Sequence, residues 1–332
     1  MISLGIESTA HTFGVGIVND RCEILSNEKN TFKPELGRGF TPTELADHHY
    51  VVCKKVLDDA LSEADIKMGD VDVISFSRGM GIPNALKVGA ALARYLAVKY
   101  KKHLVGVNHG TAHIEIGKIK TGSVDPVIVY LSGGNSQILA YVDGVYRVFG
   151  ETMDIPIGNA FDVLVREMKL PMPGGPEIER LAKNGTYVDL PYVVKGMDVS
   201  FTGIMTAAIE RFKNDHKEED VAYSMQEVCF SMLTEVTERA LAHTGKKEVL
   251  LVGGVAANKR LQDMMKIMCN ERNAKLYVVP QEYASDNGAN IAWVGILDYK
   301  SKGKSLDILE SKVDSKWRTD DVEIHWSEAR VE

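Results

Sequence analysis

The sequence predicts an α/β protein made of two related halves, and three observations carry that reading. Residues 2–18 and 127–142 share one pattern: an apolar run, a tight turn of small or polar residues, and a second apolar run. Each reads as a β-hairpin that opens a domain. Residues 249–252 and 276–279 are strand-like and flank a helix-like segment at 259–270, which makes a β-α-β unit. A length of 332 residues fits two domains or one large one.

After the first hairpin, helical periodicity appears at 44–64 and 84–99, and strand-like runs at 71–76 and 104–107. The halves join around 118–126, so the first spans 1–122 and the second 123–299. The second hairpin is followed by helical patterns at 158–168, 203–214 and 220–243. Pro176 is suited to a first helical turn after the open Pro173-Gly174-Gly175 run. A last helix is expected over 289–297, with Ser285-Asp286-Asn287-Gly288 before it as a cap or a carboxylate source. Residues 302–332 are charged and lack apolar periodicity. Residues 300–320 are expected to complete the first half, and 321–332 to form a charged tail or linker. The repetition is architectural rather than literal, so no solenoid period emerges.

Composition narrows the function classes. Apolar residues make up 45% and charged residues 26%, as in a globular domain with a full core. The four cysteines, Cys22, Cys53, Cys229 and Cys269, form no C-x-x-C pair and suggest a reducing cytosol. No signal peptide or bilayer-spanning run is read, so a cytoplasmic protein with no membrane partner is expected. The thirteen methionines read as core filler. A formal charge of −7 argues against a self-sufficient nucleic-acid binder. Basic clusters at Lys99, Lys101, Lys102 and His103, and at Lys29, Lys33 and Arg38, read as solvated faces.

The segments that carry chemistry lie at the ends of apolar runs. His109 and His113 stand four residues apart, about one helical turn, so both imidazoles can face one metal. Alternatively, one is buried and one lies on the surface of an ordinary helix. Ser132-Gly133-Gly134-Asn135-Ser136 is a plain hairpin turn or a cradle for phosphate. Gly253-Gly254, leading to Asn258, is a tight β-α turn or a nucleotide site near a helix N-terminus. Glu177 and Glu179 follow Pro176, where at least one complements the helix N-terminus. The chain has no G-x-x-x-x-G-K-[ST], no G-x-S-x-G and no H-E-x-x-H. Gly110 stands where that last motif places its glutamate.

Taken in order, these segments resemble one family over about residues 1–318. They are Gly5-Ile6-Glu7-Ser8-Thr9-Ala10-His11-Thr12, Asn108-His109-Gly110-Thr111-Ala112-His113 and Ser132-Gly133-Gly134-Asn135-Ser136-Gln137. They continue through Gly150-Glu151-Thr152, residues 173–179, Ser200-Phe201-Thr202-Gly203, Gly253-Gly254-Val255 with Asn258, and Asp286-Asn287-Gly288. The family is that of tRNA threonylcarbamoyladenosine synthase subunits. It includes bacterial TsaD and the catalytic subunit of the archaeal and eukaryotic KEOPS complex, and the wording here is of the archaeal type.

The resemblance implies an actin-like, Hsp70-like and sugar-kinase-like (ASKHA) fold, with two duplicated RNase H-like domains around a cleft. It implies transfer of a threonylcarbamoyl group from threonylcarbamoyl-AMP to N6 of the adenosine 3′ of the anticodon, in tRNAs reading A-starting codons. It implies one divalent metal per chain, iron ahead of zinc, on His109, His113 and Asp286, with Tyr130 as a further ligand or close partner. Threonylcarbamoyl-AMP, ATP or AMP would lie against Tyr130, Leu131, Ser132, Gly133, Gly134, Asp162, Gly175, Glu179 and Asn258. Glu7 and His11 face the same cleft as candidates for orienting a metal ligand or handling a proton. The implied partners are tRNA, a kinase-like subunit that some relatives carry fused at the C-terminus, and dimerising and regulatory KEOPS subunits.

The chain departs from the family pattern at Gly110 and Thr111 (bulkier in the family), Met80 (proline), Lys259 (acidic) and Ala284 (cysteine). Three other readings compete. A zinc peptidase lacks its helical glutamate here. A kinase of the same superfold leaves the histidine pair unexplained. A nucleotide-binding scaffold would depend on partners for catalysis.

Overall fold

Two five-stranded sheets repeat one strand order. The computed structural model describes residues 1–326. Its first half runs β1 (Ile2–Glu7), β2 (Thr12–Asn19), β3 (Ile24–Thr31), α1 (Pro42–Glu63), β4 (Val73–Gly79), α2 (Pro83–Tyr100), β5 (His103–Asn108) and α3 (His109–Thr121). The second half begins with β6 (Val127–Leu131), β7 (Ser136–Val142), β8 (Val145–Glu151), α4 (Ile157–Glu167) and α5 (Gly174–Ala182). A two-residue hairpin follows, β9 (Val194–Lys195) and β10 (Asp198–Val199), then α6 (Thr202–Lys213) and α7 (Glu218–Thr244). It ends with β11 (Glu248–Val252), α8 (Lys259–Glu271), β12 (Lys275–Val278), the short α9 (Gln281–Ala284) and α10 (Gly288–Lys302). The sheets read β3-β2-β1-β4-β5 and β8-β7-β6-β11-β12. In each, a three-stranded antiparallel meander is extended by two parallel strands. The strand order reverses beside β1 and β6, and α/β sheets bind ligands at the carboxyl ends of strands there.

Local sequence fixes the ends of the elements. Thr41 and Glu44 form a reciprocal capping box on α1, with proline in its first turn. Asn108, Asn258 and Asn287 accept from the third helical N–H of α3, α8 and α10. Gly122, Gly245 and Gly303 close α3, α7 and α10 in the left-handed conformation. The helix at 174–182 starts two residues before Pro176, because Gly174 N–H is capped by Asp162 Oδ1 at 2.6 Å.

Each half lends its last helix to the other sheet. α3 leaves β5 of the first sheet and packs on β6 and β11 of the second. α10 leaves the second half and packs on β1, β2 and β4 of the first. It begins within residues 123–299 and runs on to Lys302, yet its apolar face belongs to the first sheet. Gly5 and Gly16 permit this, because a Cβ on either would overlap the α10 backbone at Gly288, Ala289 or Ala292. In the layer between the sheets, Ile114 of α3 and Ile291 and Val294 of α10 pack with Ile128, Tyr130 and Leu250 of the second sheet. Outside, α1 and α2 cover the first sheet, and α4 to α8 cover the second.

After α10 the chain becomes a strap. Leu306 N–H donates to Leu104 O at 2.8 Å, Arg78 Nε to Lys312 O at 2.9 Å, and Asp314 N–H to Arg78 O at 2.8 Å, all on the first half. Residues 321–326, expected as a charged tail or linker, instead reach the second half. Ile324 N–H donates to Gly144 O at 2.7 Å, and Ile324 and Trp326 are buried between the sheets. Val322, Ile324 and Trp326 alternate with polar residues, a run too short to stand out in a charged stretch but enough to anchor it. The rest of that expected tail, 327–332, lies outside the described residues. No helix among the described residues is long and apolar enough to cross a membrane.

Candidate metal centre and nucleotide cleft

The crossing of the exchanged helices brings His109, His113 and Asp286 together. His109 and His113 lie in the first turns of α3, and Asp286 lies just before α10. One ligand atom from each falls within 4.8 Å of the others. Asp286 Oδ1 is 3.4 Å from both His109 Nε2 and His113 Nε2. That is long for a charge-assisted hydrogen bond. It is close to the ~3.3 Å edge of a tetrahedron with ligands ~2.0–2.1 Å from its centre.

The surroundings prepare the set. Glu7, at the end of β1, is fully buried, and its Oε2 lies 2.9 Å from His109 Nδ1. Its Oε1 accepts from Thr9 N at 2.6 Å and Thr9 Oγ1 at 2.5 Å. Both carboxylate oxygens are engaged, so Glu7 fixes the His109 ring in the manner of a carboxylate–histidine–metal relay. Burial works against charge on His109, yet Glu7, then Tyr130 and Asp286, outweigh it and hold its pKa well above the ordinary imidazole value. Burial, with His109 close by, lowers the pKa of His113. Burial also opposes the Asp286 charge, but the two imidazoles hold its carboxyl well below the usual range. The arrangement offers one neutral imidazole, one carboxylate, and one imidazole whose proton a cation would displace. His113 Nδ1 is buried with no hydrogen-bond partner. These residues fit a divalent metal.

Tyr130, on the buried β6, packs its ring 5.4 Å from that of His113. Burial is the chief reason its phenol is raised, so it stands here as a protonated neighbour. Leu131, the last residue of β6, is buried, and its carbonyl meets Gly253 so closely that a Cβ there would overlap it.

Beside the metal set, the second half carries an open turn, tied to Tyr130 by Asn135 Nδ2, which donates to its hydroxyl at 3.4 Å. Within the turn, Ser132 N–H donates to Asn135 O at 2.8 Å, and Ser132 Oγ accepts from Gly134 N at 3.2 Å and Asn135 N at 3.0 Å. This leaves the N–H of Gly133 as the turn's uncommitted donor among the described residues. Gly133, Gly134, Gly175 and Gly254 have nothing within 4 Å of an added Cβ and no left-handed φ. The described fold does not require glycine at these four positions; a ligand lying against the backbone would. Gly158 and Gly253 differ, because a Cβ on either would strike the β6–β7 backbone.

Other side chains of the second half hold its helices together. Asp162 caps α5, and burial raises its pKa against the Gly174 N–H, His11 and Arg166. His11 comes from the β1–β2 turn of the first half, so its influence on Asp162 reaches across the cleft. Glu179 Oε1 accepts from Lys259 N at 2.9 Å and ties α5 to the start of α8. Asn258, read in the sequence as a substrate contact, has both side-chain ends engaged. Its Oδ1 accepts from Leu261 N at 3.2 Å, and its Nδ2 donates to Gln226 Oε1 at 2.9 Å. Sequence reasoning missed Thr9, which braces Glu7, and Asn108, which caps α3; an asparagine just before the histidine helix was the available signal for the second.

The fold and the site define a class: a duplicated two-domain α/β protein of the actin-like and sugar-kinase-like type, with a histidine–carboxylate centre where its domains cross. HypF of T. kodakarensis shares the fold with a TM-score of 0.62 at 15% identity, over 90% of this chain and 47% of that one. The activator of the 2-hydroxyisocaproyl-CoA dehydratase from Clostridium difficile superposes with a TM-score of 0.54 at 13% identity, over 92% of this chain and all of that one. Sequence comparison goes further. The TsaD family model, described as tRNA N6-adenosine threonylcarbamoyltransferase, matches residues 22–293. A protein of that name from Thermococcus sibiricus is 53% identical over 98% of this chain and 100% of its own length. Another, from Caldivirga maquilingensis, is 50% identical over the whole of both chains. A probable bifunctional tRNA threonylcarbamoyladenosine biosynthesis protein from Methanocaldococcus jannaschii is 50% identical, and this chain spans 60% of its length. The chain belongs to the tRNA N6-adenosine threonylcarbamoyltransferase family.

Proposed function

We propose that this chain transfers the threonylcarbamoyl group of threonylcarbamoyl-AMP to N6 of the adenosine 3′ of the anticodon, in tRNAs reading A-starting codons, with release of AMP. The observation that carries the reading is the buried His109–His113–Asp286 set, linked through Tyr130 and Asn135 to the open turn at Gly133 and Gly134. A mixed anhydride needs its carbonyl held and its leaving phosphate accommodated, and the reading assigns the first task to the metal set and the second to the turn. An exocyclic amine on an aromatic ring is a poor nucleophile, so orientation and charge stabilisation must supply much of the rate.

His109, His113 and Asp286 hold one divalent metal, iron or zinc, with Tyr130 against it. When bound, that ion supplies Lewis acidity and a template for the threonylcarbamoyl oxygens. Glu7 keeps the His109 ring in place through Nδ1. The Gly133 N–H donates to a phosphate or carbamoyl oxygen, and Gly134 lets the ligand lie close. Asp162 and Glu179 receive ribose hydroxyls, with Gly175 open beneath the nucleoside. Asn258 shapes the wall by holding α8, and His11 lines the outer edge opposite Asp162. ATP or AMP would fill the same site. The expected setting is the cytoplasm, in a KEOPS-type assembly with a kinase-like, a dimerising and a regulatory subunit. The relatives named as bifunctional, of whose length this chain spans 60%, support association with a further domain.

Assay with preformed threonylcarbamoyl-AMP and tRNA tests the reading. His109→Ala should lose bound metal and tRNA modification together, and full modification by a metal-free protein would refute the metal role. Glu179→Ala should keep its metal and bind the adenylate more weakly; unchanged binding would remove Glu179 from the nucleoside site. Peptidase activity is disfavoured, because a Cβ at Gly110 would overlap Thr319 and leaves no room for the glutamate.

A further inference from the structure

The metal ligands come from α3 and from the turn before α10, which belong to opposite halves, so the set depends on the relative position of the halves. The strap is the one segment after α10 that grips both halves among the described residues. On the first half, Arg94 Nε donates to Ser311 Oγ at 2.7 Å, and the Arg78 guanidinium lies 5.5 Å over the Trp317 ring. On the second, Arg318 Nη2 lies 3.2 Å from both oxygens of Glu151, and Ile324 joins Gly144. Between these grips the strap crosses the start of α3. Asn108, which caps the helix through Oδ1, donates through Nδ2 to Trp317 O at 2.9 Å and Arg318 O at 3.3 Å. Thr319 is fully buried, its Oγ1 has no hydrogen-bond partner among the described residues, and a Cβ on Gly110 would overlap that oxygen. Gly110 directly follows His109. The glycine at a position where the resemblance implies a larger residue thus has a local cause: the strap occupies the space.

We propose that Gly110, Asn108 and Thr319 form a positioning contact through which the strap holds His109 and His113 in register with Asp286. None of the three offers a ligand atom, although Asn108 and Gly110 flank His109 in the chain. Their effect passes through the placement of the first turn of α3 relative to the start of α10. This inference rests on reading His109, His113 and Asp286 as metal ligands. A cavity of about 250 Å³, lined by residues that include Asn108, Thr111, Val294, Trp317 and Trp326, lies under the strap. A side chain at Gly110 can therefore displace the strap without unfolding the layer between the sheets.

The test compares Gly110→Ala, Thr319→Ala and the double variant in the full chain, with two readouts. One is Zn²⁺ affinity by competition with a chelator. The other is hydrogen exchange of residues 314–326 in metal-free protein. Alanine is the better helix former, so helix propensity alone makes Gly110→Ala neutral or tighter. Displacement of the strap instead makes Zn²⁺ binding weaker by about tenfold, the scale at which outer supports of metal ligands act, and raises exchange along the strap. Thr319→Ala removes the overlapping oxygen, so the double variant should recover both the affinity and the protection. Unchanged Zn²⁺ affinity in Gly110→Ala overturns the proposal, and so does a loss that Thr319→Ala fails to rescue. If the unaltered chain binds no Zn²⁺ or Fe²⁺ at all, the metal reading itself has failed. If Gly110→Ala is insoluble, Asn108→Ser decides. Serine keeps the α3 cap but removes the donor to the strap, so only the positioning role predicts a tenfold loss of Zn²⁺ affinity with raised strap exchange, and no loss overturns it.

Discussion

The β1–β2 and β6–β7 turns occupy equivalent places in the two sheets, yet they carry opposite chemistry. The first turn is closed. Glu7 is buried there, and all of its accepting capacity described above goes to Thr9 and His109. The second turn is open, with two glycines that meet nothing within 4 Å. The duplicated frame offers two strand ends at one cleft. One has become support for a buried ligand set, and the other keeps its backbone bare for something from outside. The surrounding helices follow the same division. The first half carries only α1 and α2 on its outer face, whereas the second inserts α4 to α7 between β8 and β11. Those insertions carry Asp162, Gly175 and Glu179, the residues proposed to meet the nucleoside.

Glu7→Gln should break the comparison most strongly. Amide for carboxylate keeps the shape of the closed turn and removes the charge behind His109. Metal affinity should fall by roughly ten- to a hundredfold with the fold intact, as measured by metal competition and circular dichroism. Full affinity would mean that the first turn is merely structural.

The next effect concerns acid. The first hairpin rests on His49 of α1, whose ring meets Phe13 at 5.5 Å and whose Nδ1 lies 3.1 Å from that of His48. Burial, then His48, lowers the His49 pKa to about 4. The unfolded chain takes up this proton near pH 6.5, before the folded one does. The stability from a neutral His49 is therefore present above about pH 6.5 and lost as pH falls through about 4, roughly 3 kcal/mol in all. Hydrogen exchange should loosen β1–β2 before β6–β7 over that window, and His49→Gln should flatten the slope. Equal loosening of both hairpins would remove the asymmetry.

The smallest change sharpens the open turn. Gly133→Ala has room and an ordinary backbone, so stability should stay within about 0.5 kcal/mol. Binding of threonylcarbamoyl-AMP, measured by calorimetry, should nevertheless weaken by about tenfold, or ~1.4 kcal/mol. Unchanged binding would make the turn a plain hairpin.

The amino-acid sequence by itself determined the repeated plan. Alternating apolar runs, capping asparagines and terminal glycines are local signals, and local signals set strands, helices and their ends. Most helices fall within one or two residues of the spacing, while the strand read at 71–76 begins at Val73 and extends to Gly79. The third strand of each meander and the β9–β10 hairpin were not resolved from neighbouring apolar runs. Residue identities also supplied His109, His113 and Asp286 as a set, but only through the family resemblance. Nothing in the spacing alone joins position 113 to position 286.

The tertiary structure decided the rest. It exchanged α3 and α10 between the sheets, seated residues 321–326 instead of leaving them as a tail, and committed both ends of the Asn258 side chain. It also separated glycines that the backbone needs, such as Gly5 and Gly158, from those left bare in the cleft, such as Gly133 and Gly175. The reason is physical. A side chain's partners across the chain depend on how two sheets and their crossed helices close-pack, and close packing is a property of the whole arrangement rather than of any window of residues.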